Sequence, residues 1–282
     1  GQSHYRNGDY EESIEYFKAA YDTTNYDNSY KEIRKEWVSK YILLIPVGVI
    51  AICDACSFFM KYANKVNKKA AVAGGKRNFK EELLYGFYVI FHPFDGFWDL
   101  KHEKRGSLRA AIVFIIVTIF AFFYQAVGSG YAVNQQTVYT DLISVAISVL
   151  LPLALWAVSN WCLTCLFEGE GSFKDIIIAL GYSVLPLVLT IVPTTIASNF
   201  IVSSEVGILD LITTIGFIWC ILLIFLGMMV THDYSMGKNI LTTLGTLVAM
   251  VFIMFVGILF TTLLGNVVSF ITNIVTELQY RM

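Results

Sequence analysis

Pro93-Phe94-Asp95-Gly96-Phe97-Trp98-Asp99-Leu100-Lys101-His102-Glu103-Lys104-Arg105-Gly106-Ser107 is the stretch on which the reading of the chain turns. It interleaves Lys101, His102, Lys104 and Arg105 with Asp95, Asp99 and Glu103. From Leu108 to the C-terminus almost every residue belongs to an apolar block. The stretch therefore reads as the polar threshold of a membrane domain, where lipid headgroups meet an aqueous compartment.

The composition agrees. Of 282 residues 56% are hydrophobic and 15% charged, with a mean hydropathy of +0.62. A soluble globular domain carries roughly 25% charged residues. The deficit lies after residue 107, so it signals membrane spans. A net charge of −2 gives no footprint for nucleic acid.

Just before the threshold, Phe79, Leu83, Leu84, Phe87, Ile90 and Phe91 recur at helical spacing, behind Lys80, Glu81 and Glu82. This helix is too short to span, and the pattern predicts one lying in the membrane interface. His92-Pro93 ends it, since proline disfavours helix at the preceding residue. Residues 70–75 are small and read as flexible. The segment 61–109 holds more than half of the chain's 20 Lys and Arg residues and few acids. By the positive-inside rule it is cytoplasmic.

Five spans follow, over about 108–133, 141–167, 175–202, 206–231 and 239–274. The links at 134–140 and 203–205 contain no Lys or Arg, whereas Lys174 and Lys238 stand in the alternate links. Upstream, 37–60 is a further span, with Pro46 and Gly48 as bending points and Asp54 as its one acid. Asp54 reads either as a functional intramembrane carboxylate or as a residue reaching the interface near Lys61. No Gly or Pro separates residues 28–40 from this span, so one continuous helix is expected to run into the membrane. The last span is long enough to tilt or to project beyond the bilayer. The fold class is all-α: a polytopic membrane bundle of six spans in the cell membrane, with both termini outside the cytoplasm. The domains are a helical segment at 1–36, a first span at 37–60, a basic linker at 61–107 and a five-span membrane domain at 108–282.

Residues 8–20 place Tyr10, Ile14, Phe17 and Tyr21 on one helical face with acids opposite. Gly8-Asp9-Tyr10, with Ser13 and Ala20 at small positions, resembles the second helix of a tetratricopeptide repeat. One repeat cannot bury its own face. The resemblance implies upstream repeats, and the chain reads as the C-terminal part of a longer protein. An isolated helical hairpin is the plainer alternative.

Residues 79–282 resemble the Yip1 family of small polytopic membrane proteins, in its bacterial branch. Pro93-x-x-Gly96-Phe97-x-Asp99-Leu100-Lys101-x-Glu103-x-Arg105-Gly106-Ser107 carries the resemblance before the first span of the domain. Gly169-x-Gly171-Ser172-Phe173-Lys174 and Tyr182-Ser183-x-Leu185-Pro186 continue it. The 37–60 span lies outside the family pattern. The resemblance implies a five-span domain, and an accessory role beside the subunits of an ATP-driven carbohydrate importer. It does not bring over the trafficking role of the eukaryotic relatives.

Several groups were weighed for chemistry. His92, Asp95, Asp99, His102 and Glu103 are weak candidates for metal ligands, because Lys101, Lys104 and Arg105 offer ion pairs to the same carboxylates. An ion-pair or headgroup-binding knot is the favoured reading. Phe97, Trp98, Lys101, Lys104, Arg105 and Arg109 are candidate contacts to a partner or to lipid. Cys53-x-x-Cys56 and Cys162-x-x-Cys165 write out as a four-thiolate set. They sit on apolar helices near the same membrane face, where cysteine is a small apolar residue. No Gly-x-Ser-x-Gly, His-Glu-x-x-His or Walker pattern occurs, so neither an enzyme nor a cofactor is expected.

The leading expectation is a non-catalytic membrane scaffold or accessory subunit. A transporter is the alternative, with a cavity lined by Gln125, Ser159, Asn160 and Thr190. The third reading is a membrane-shaping protein that inserts residues 79–91.

Overall fold

The computed structural model describes residues 1–73, 78–135 and 140–281. Part of the stretch expected to be flexible at 70–75, and of the link at 134–140, lies outside the described residues. The described chain is α-helical between short links. Three short helices come first: α1 (Gln2–Asn7), α2 (Tyr10–Ala19) and α3 (Thr23–Tyr41). Ile14 and Phe17 of α2 are buried against Tyr26 of α3. Ser13 and Ser29, both fully buried, meet where α2 and α3 cross, and the Ser13 hydroxyl donates to that of Ser29 at 2.8 Å. The apolar stripe of α2 thus has a local partner.

α4 (Leu44–Ala73) begins after a break at Ile42 and Leu43. The single helix expected here is interrupted because Pro46 has no N–H to give the Ile42 carbonyl. Next come α5 (Phe79–Phe91), α6 (Pro93–His102), α7 (Leu108–Gly128), α8 (Leu142–Phe167), α9 (Phe173–Ser183), α10 (Leu185–Ser198), a 3-10 turn (Ser203–Glu205), α11 (Val206–His232) and α12 (Met236–Arg281). Six stretches are long and apolar enough to cross a membrane, in the order the sequence predicts. The fourth is two helices, α9 and α10. Pro186 cannot donate to the Tyr182 carbonyl, and the helix steps at Val184.

Burial ranks the spans. Two thirds of the apolar window of α9–α10 is buried (67%), against 33% for α7 and α11, 11% for α8 and none for α4 or α12. The fourth span is therefore the axis of the bundle. The two outermost helices face away from it.

α5 and α6 form a hairpin driven into the bundle. Gly86 of α5 lies under Phe114 of α7 and Leu185 of α10. At the tip, Phe91 meets Trp219, the middle residue of α11, edge to face at 5.6 Å. α6 returns with Phe97 over Gly227 and ends at Lys101, whose ammonium lies 3.0 Å from Glu170 in the α8–α9 link. The expected interfacial helix is thus an inserted arm. Tyr85, Val89 and Ile90 are buried in the main core, while Phe79 and Phe91 stay partly exposed. Leu83 and Leu84 are half-buried, and Phe87 packs on Phe59 of α4 at 5.0 Å. Of the six residues read as the stripe, Ile90 is buried, Leu83, Leu84 and Phe87 are half-buried, and Phe79 and Phe91 remain exposed.

The N-terminal helices dock on the opposite end. The Tyr30 hydroxyl donates to the Asn199 carbonyl at 2.8 Å, and Arg34 forks onto Glu205 at 2.6 and 2.9 Å. Both Asp27 oxygens accept from the Ser203 N–H, at 3.1 and 3.2 Å. α4 thus joins two clasps, while its apolar length is left unburied by the chain. α12 is anchored by Asn239, Thr242 and Thr246, all buried, and runs exposed from Val251. Its 46 residues reach about 70 Å at 1.5 Å per residue. That is more than twice the roughly 30 Å of bilayer hydrocarbon.

Candidate functional site

The polar threshold folds into a collar around the hairpin base. Asn78 and Glu81 form a capping box that starts α5 and turns Glu82 inward. Ser107 caps α7, accepting from the Ala110 N–H at 3.2 Å, which fixes Arg109 one turn on. Arg109 then grips Glu82 through Nε at 2.8 Å and Nη2 at 2.9 Å. The Ser107 hydroxyl donates to the same carboxylate at 2.5 Å. The buried Tyr182 hydroxyl donates to the Glu82 carbonyl at 2.9 Å, tying this knot to the central span.

A second knot lies beside it. Asp99 accepts from the Tyr85 hydroxyl at 2.6 Å and pairs with Arg105 at 3.1 Å. Arg105 Nε also donates to Glu103 at 2.5 Å. Burial works against the Arg105 charge, but Glu103 and Asp99 outweigh it, and the guanidinium pKa goes up. Lys101, donating to Glu170, holds that carboxyl below the usual range.

The third knot joins residues that the sequence does not connect: Gly171, Asn160 and His232. The Gly171 N–H donates to His232 Nδ1 at 3.2 Å, and His232 Nε2 donates to Asn160 Oδ1 at 2.8 Å. This pairing needs the imidazole protonated on Nε2. Asn160 Nδ2 reaches Thr246 of α12 at 3.3 Å. A β-carbon at position 171 would stand 2.7 Å from Thr231 Cγ2, so only glycine lets this link approach α11. The Gly169-x-Gly171 pair was the available signal; it marks close backbone approach, with no indication of what is approached. Ser172 then opens α9 in a capping box with Asp175.

The candidate contact residues divide. Phe97 is 1% exposed and packs inside, so the reading of it as a partner or lipid contact is corrected. Its ring fills the space that Gly227 leaves on α11. Lys101, Arg105 and Arg109 are engaged in the ion pairs above. Trp98 is 49% exposed, and Lys104 is exposed at a left-handed φ of +51°.

The weak metal candidates do not converge. Asp99 and Glu103 are held by Arg105, His92 stacks on Tyr88 at 4.5 Å, His102 stacks on Trp98 at 4.6 Å, and Asp95 is exposed. Among the described residues, the group whose ligand atoms lie within mutual reach is His4, Asp9 and Glu12. The turn at Gly8 assembles it, which spacing alone does not suggest. Cys53 and Cys56 on α4, and Cys162 and Cys165 on α8, are exposed. α4 packs chiefly on α5, and α8 chiefly on α12. Gln125 lines an open groove of about 410 Å³ with Asn134 and Ser148. Ser159 and Asn160 are buried elsewhere in the bundle, and Thr190 sits against Gly216. The four residues do not line one cavity.

The pieces of sequence that carry the family likeness are thus helix caps, close approaches and ion pairs at one end of the bundle. The family model described as Yip1 domain matches residues 87–272, from the middle of α5 through most of α12. Neither the curated proteins nor the solved structures contain a match. With two thirds of its length matched, and with six apolar helices that suit a multi-pass membrane protein, the chain belongs to the Yip1 domain family.

Proposed function

We propose that this protein is a non-catalytic membrane scaffold or accessory subunit that binds partner proteins through its outer helices. One observation carries the reading: the apolar windows of α4 and α12 are unburied, while the spans between them make the core. A bundle that needs neither helix for its own core keeps both available for neighbours. The collar supports the reading, because its carboxylates and guanidinia neutralise one another and leave no acid–base pair poised for chemistry. In this reading the basic collar faces the cytoplasm of a cell membrane and both termini face outward. In the same reading α1 and α2 belong to an extracytoplasmic repeat-like segment, with α2 as the second helix of its unit. The subunits of an ATP-driven carbohydrate importer are the first partners to seek.

The experiment is site-specific photo-crosslinking in native membranes, at Val49 on α4 and at Val251 and Phe255 on α12. Discrete adducts with another membrane protein are expected, followed by its co-purification. Adducts with lipid alone at all three positions would overturn the scaffold reading. Sidedness has its own test: a cysteine at Lys104, in a cysteine-free background, should resist a membrane-impermeant thiol reagent in intact cells, while one at Glu11 should react.

A further inference from the structure

α4 and the inserted hairpin enclose a cavity of about 330 Å³ that the collar's ion pairs do not fill. At roughly 30 Å³ of liquid volume per water it has room for about ten waters, hence for a phosphate with its ester substituents. Its walls are rich in donors. Asn64, Asn67 and Lys68 come from α4, Tyr88 from α5, His92 from the joint between α5 and α6, and Arg105 from the link after α6; the Tyr85 ring closes the back. Among the described residues no carboxylate lines it. Of the acids nearby, Asp99 and Glu103 are turned onto Arg105 and the Tyr85 hydroxyl, and Asp95 on α6 is near enough to act on the Tyr88 phenol. Lys68 is exposed and makes no ion pair among the described residues. Asn67 is 8% exposed, and its amide donates to the Leu84 carbonyl at a long 3.4 Å. The His92 ring is held parallel to Tyr88, which fixes the direction of its N–H.

The sequence of α4 adds an approach. Asp54, Ser57, Lys61, Asn64 and Lys68 recur at alternating three- and four-residue steps and form one exposed stripe. The stripe runs from the end of the apolar part of α4 into its basic part, toward the cavity, so a headgroup at the membrane surface or a solute from the aqueous side can follow it.

We propose that this cavity binds the phosphate group of an anionic ligand, with Lys68, Arg105, Asn64 and His92 as its donors. Lys68 supplies the unpaired positive charge, Arg105 adds hydrogen-bond donors while its own charge is shared with Asp99 and Glu103, and the amide and imidazole N–H groups fill the remaining lone pairs. The phosphate comes either from a phospholipid headgroup that enters from the adjacent leaflet or from a soluble phosphate ester. The proposal does not depend on the scaffold reading.

The test uses the full chain, purified in phosphate-free detergent and stripped of lipid, with native mass spectrometry and calorimetry as readouts. The probes are phosphatidylglycerol and glycerol 3-phosphate. Binding of phosphatidylglycerol alone identifies a lipid headgroup, binding of glycerol 3-phosphate alone identifies a soluble ester, and binding of both assigns the shared phosphate. In each case Lys68→Gln and Asn64→Leu should each weaken binding by about tenfold, the loss expected for one hydrogen bond to a charged group. Lys80→Gln, outside the cavity, should leave binding unchanged. Lys68 and Asn64 are exposed on α4, so both variants should melt with the wild type. Binding of neither probe, or binding that both variants leave intact, would overturn the proposal.

Discussion

Gly96 of α6 lies so close to Val89 of α5 that a β-carbon at position 96 would stand 2.8 Å from the Val89 α-carbon. This contact closes the inserted hairpin. The listener on the other side is backbone, which cannot swing aside as a side chain can. Gly96→Ala should therefore force the two arms apart. Overpacking of this kind costs about 1–3 kcal/mol. The loss should appear in equilibrium unfolding in mixed micelles, with Gly237→Ala, which meets open space, as the unaffected control.

Glu82 and Arg109 are unequal partners. The Glu82 side chain is 9% exposed and that of Arg109 58%. Arg109→Ala leaves a carboxylate in the collar without its guanidinium. Glu82→Gln leaves a cation that water still reaches. The first should be the more destabilising, because the carboxylate is the buried partner. The second should cost roughly 1 kcal/mol, the worth of an ordinary hydrogen bond. Unfolding of both variants in the same micelles checks the order, and equal losses would refute the argument.

The Arg34–Glu205 fork is about one third exposed on each side. Glu205 raises the Arg34 pKa, and burial opposes it. Solvent screening limits such a pair to about 1 kcal/mol. A double-mutant cycle with Arg34→Ala and Glu205→Ala should return a coupling near that size, and it should shrink as salt is raised. Hydrogen exchange should quicken in residues 1–41 and not in the core of α9 and α10.

Tyr26 sits beneath Tyr131, with ring centroids 4.4 Å apart. Burial, with help from Tyr30 and Asp27, pushes its phenol from 10.0 up to about 12. In that interval the unfolded phenol has lost its proton and the folded one keeps it. The folded state then binds more protons, so its stability falls as pH rises. Docking of the N-terminal helices should hold steady up to about pH 10 and weaken from there to about pH 12. Tyr26→Phe should remove that contribution to the slope, as read by proteolysis of residues 1–41.

Some of this was legible from residues alone. His92-Pro93 marks the end of the 79–91 helix, and hydropathy marks the six apolar spans, because proline and hydropathy act through near neighbours in the chain. The ion-pair reading of Asp99 and Glu103 rested on the same short range. Phe97 and Ile90 went the other way. Ile90 reads as interfacial because a helix of 13 residues with an apolar stripe looks so when its partners are unknown, and Phe97 reads as a contact because it stands within the polar threshold. His232 and Asn160 stand 72 residues apart, and no local pattern joins them.

The sequence by itself determined the class of this protein and its six apolar spans, but not every break, since the helix expected to run through residues 28–60 divides at Ile42 and Leu43. The class and the spans follow from hydropathy, which depends on near neighbours in the chain. Only the tertiary structure decided that the polar threshold plunges into the bundle as a hairpin, that its charges meet one another, and that α4 stands off far enough to leave a polar cavity. Those outcomes depend on which apolar faces find each other across the fold. An apolar stripe carries the same signal whether lipid or another helix covers it.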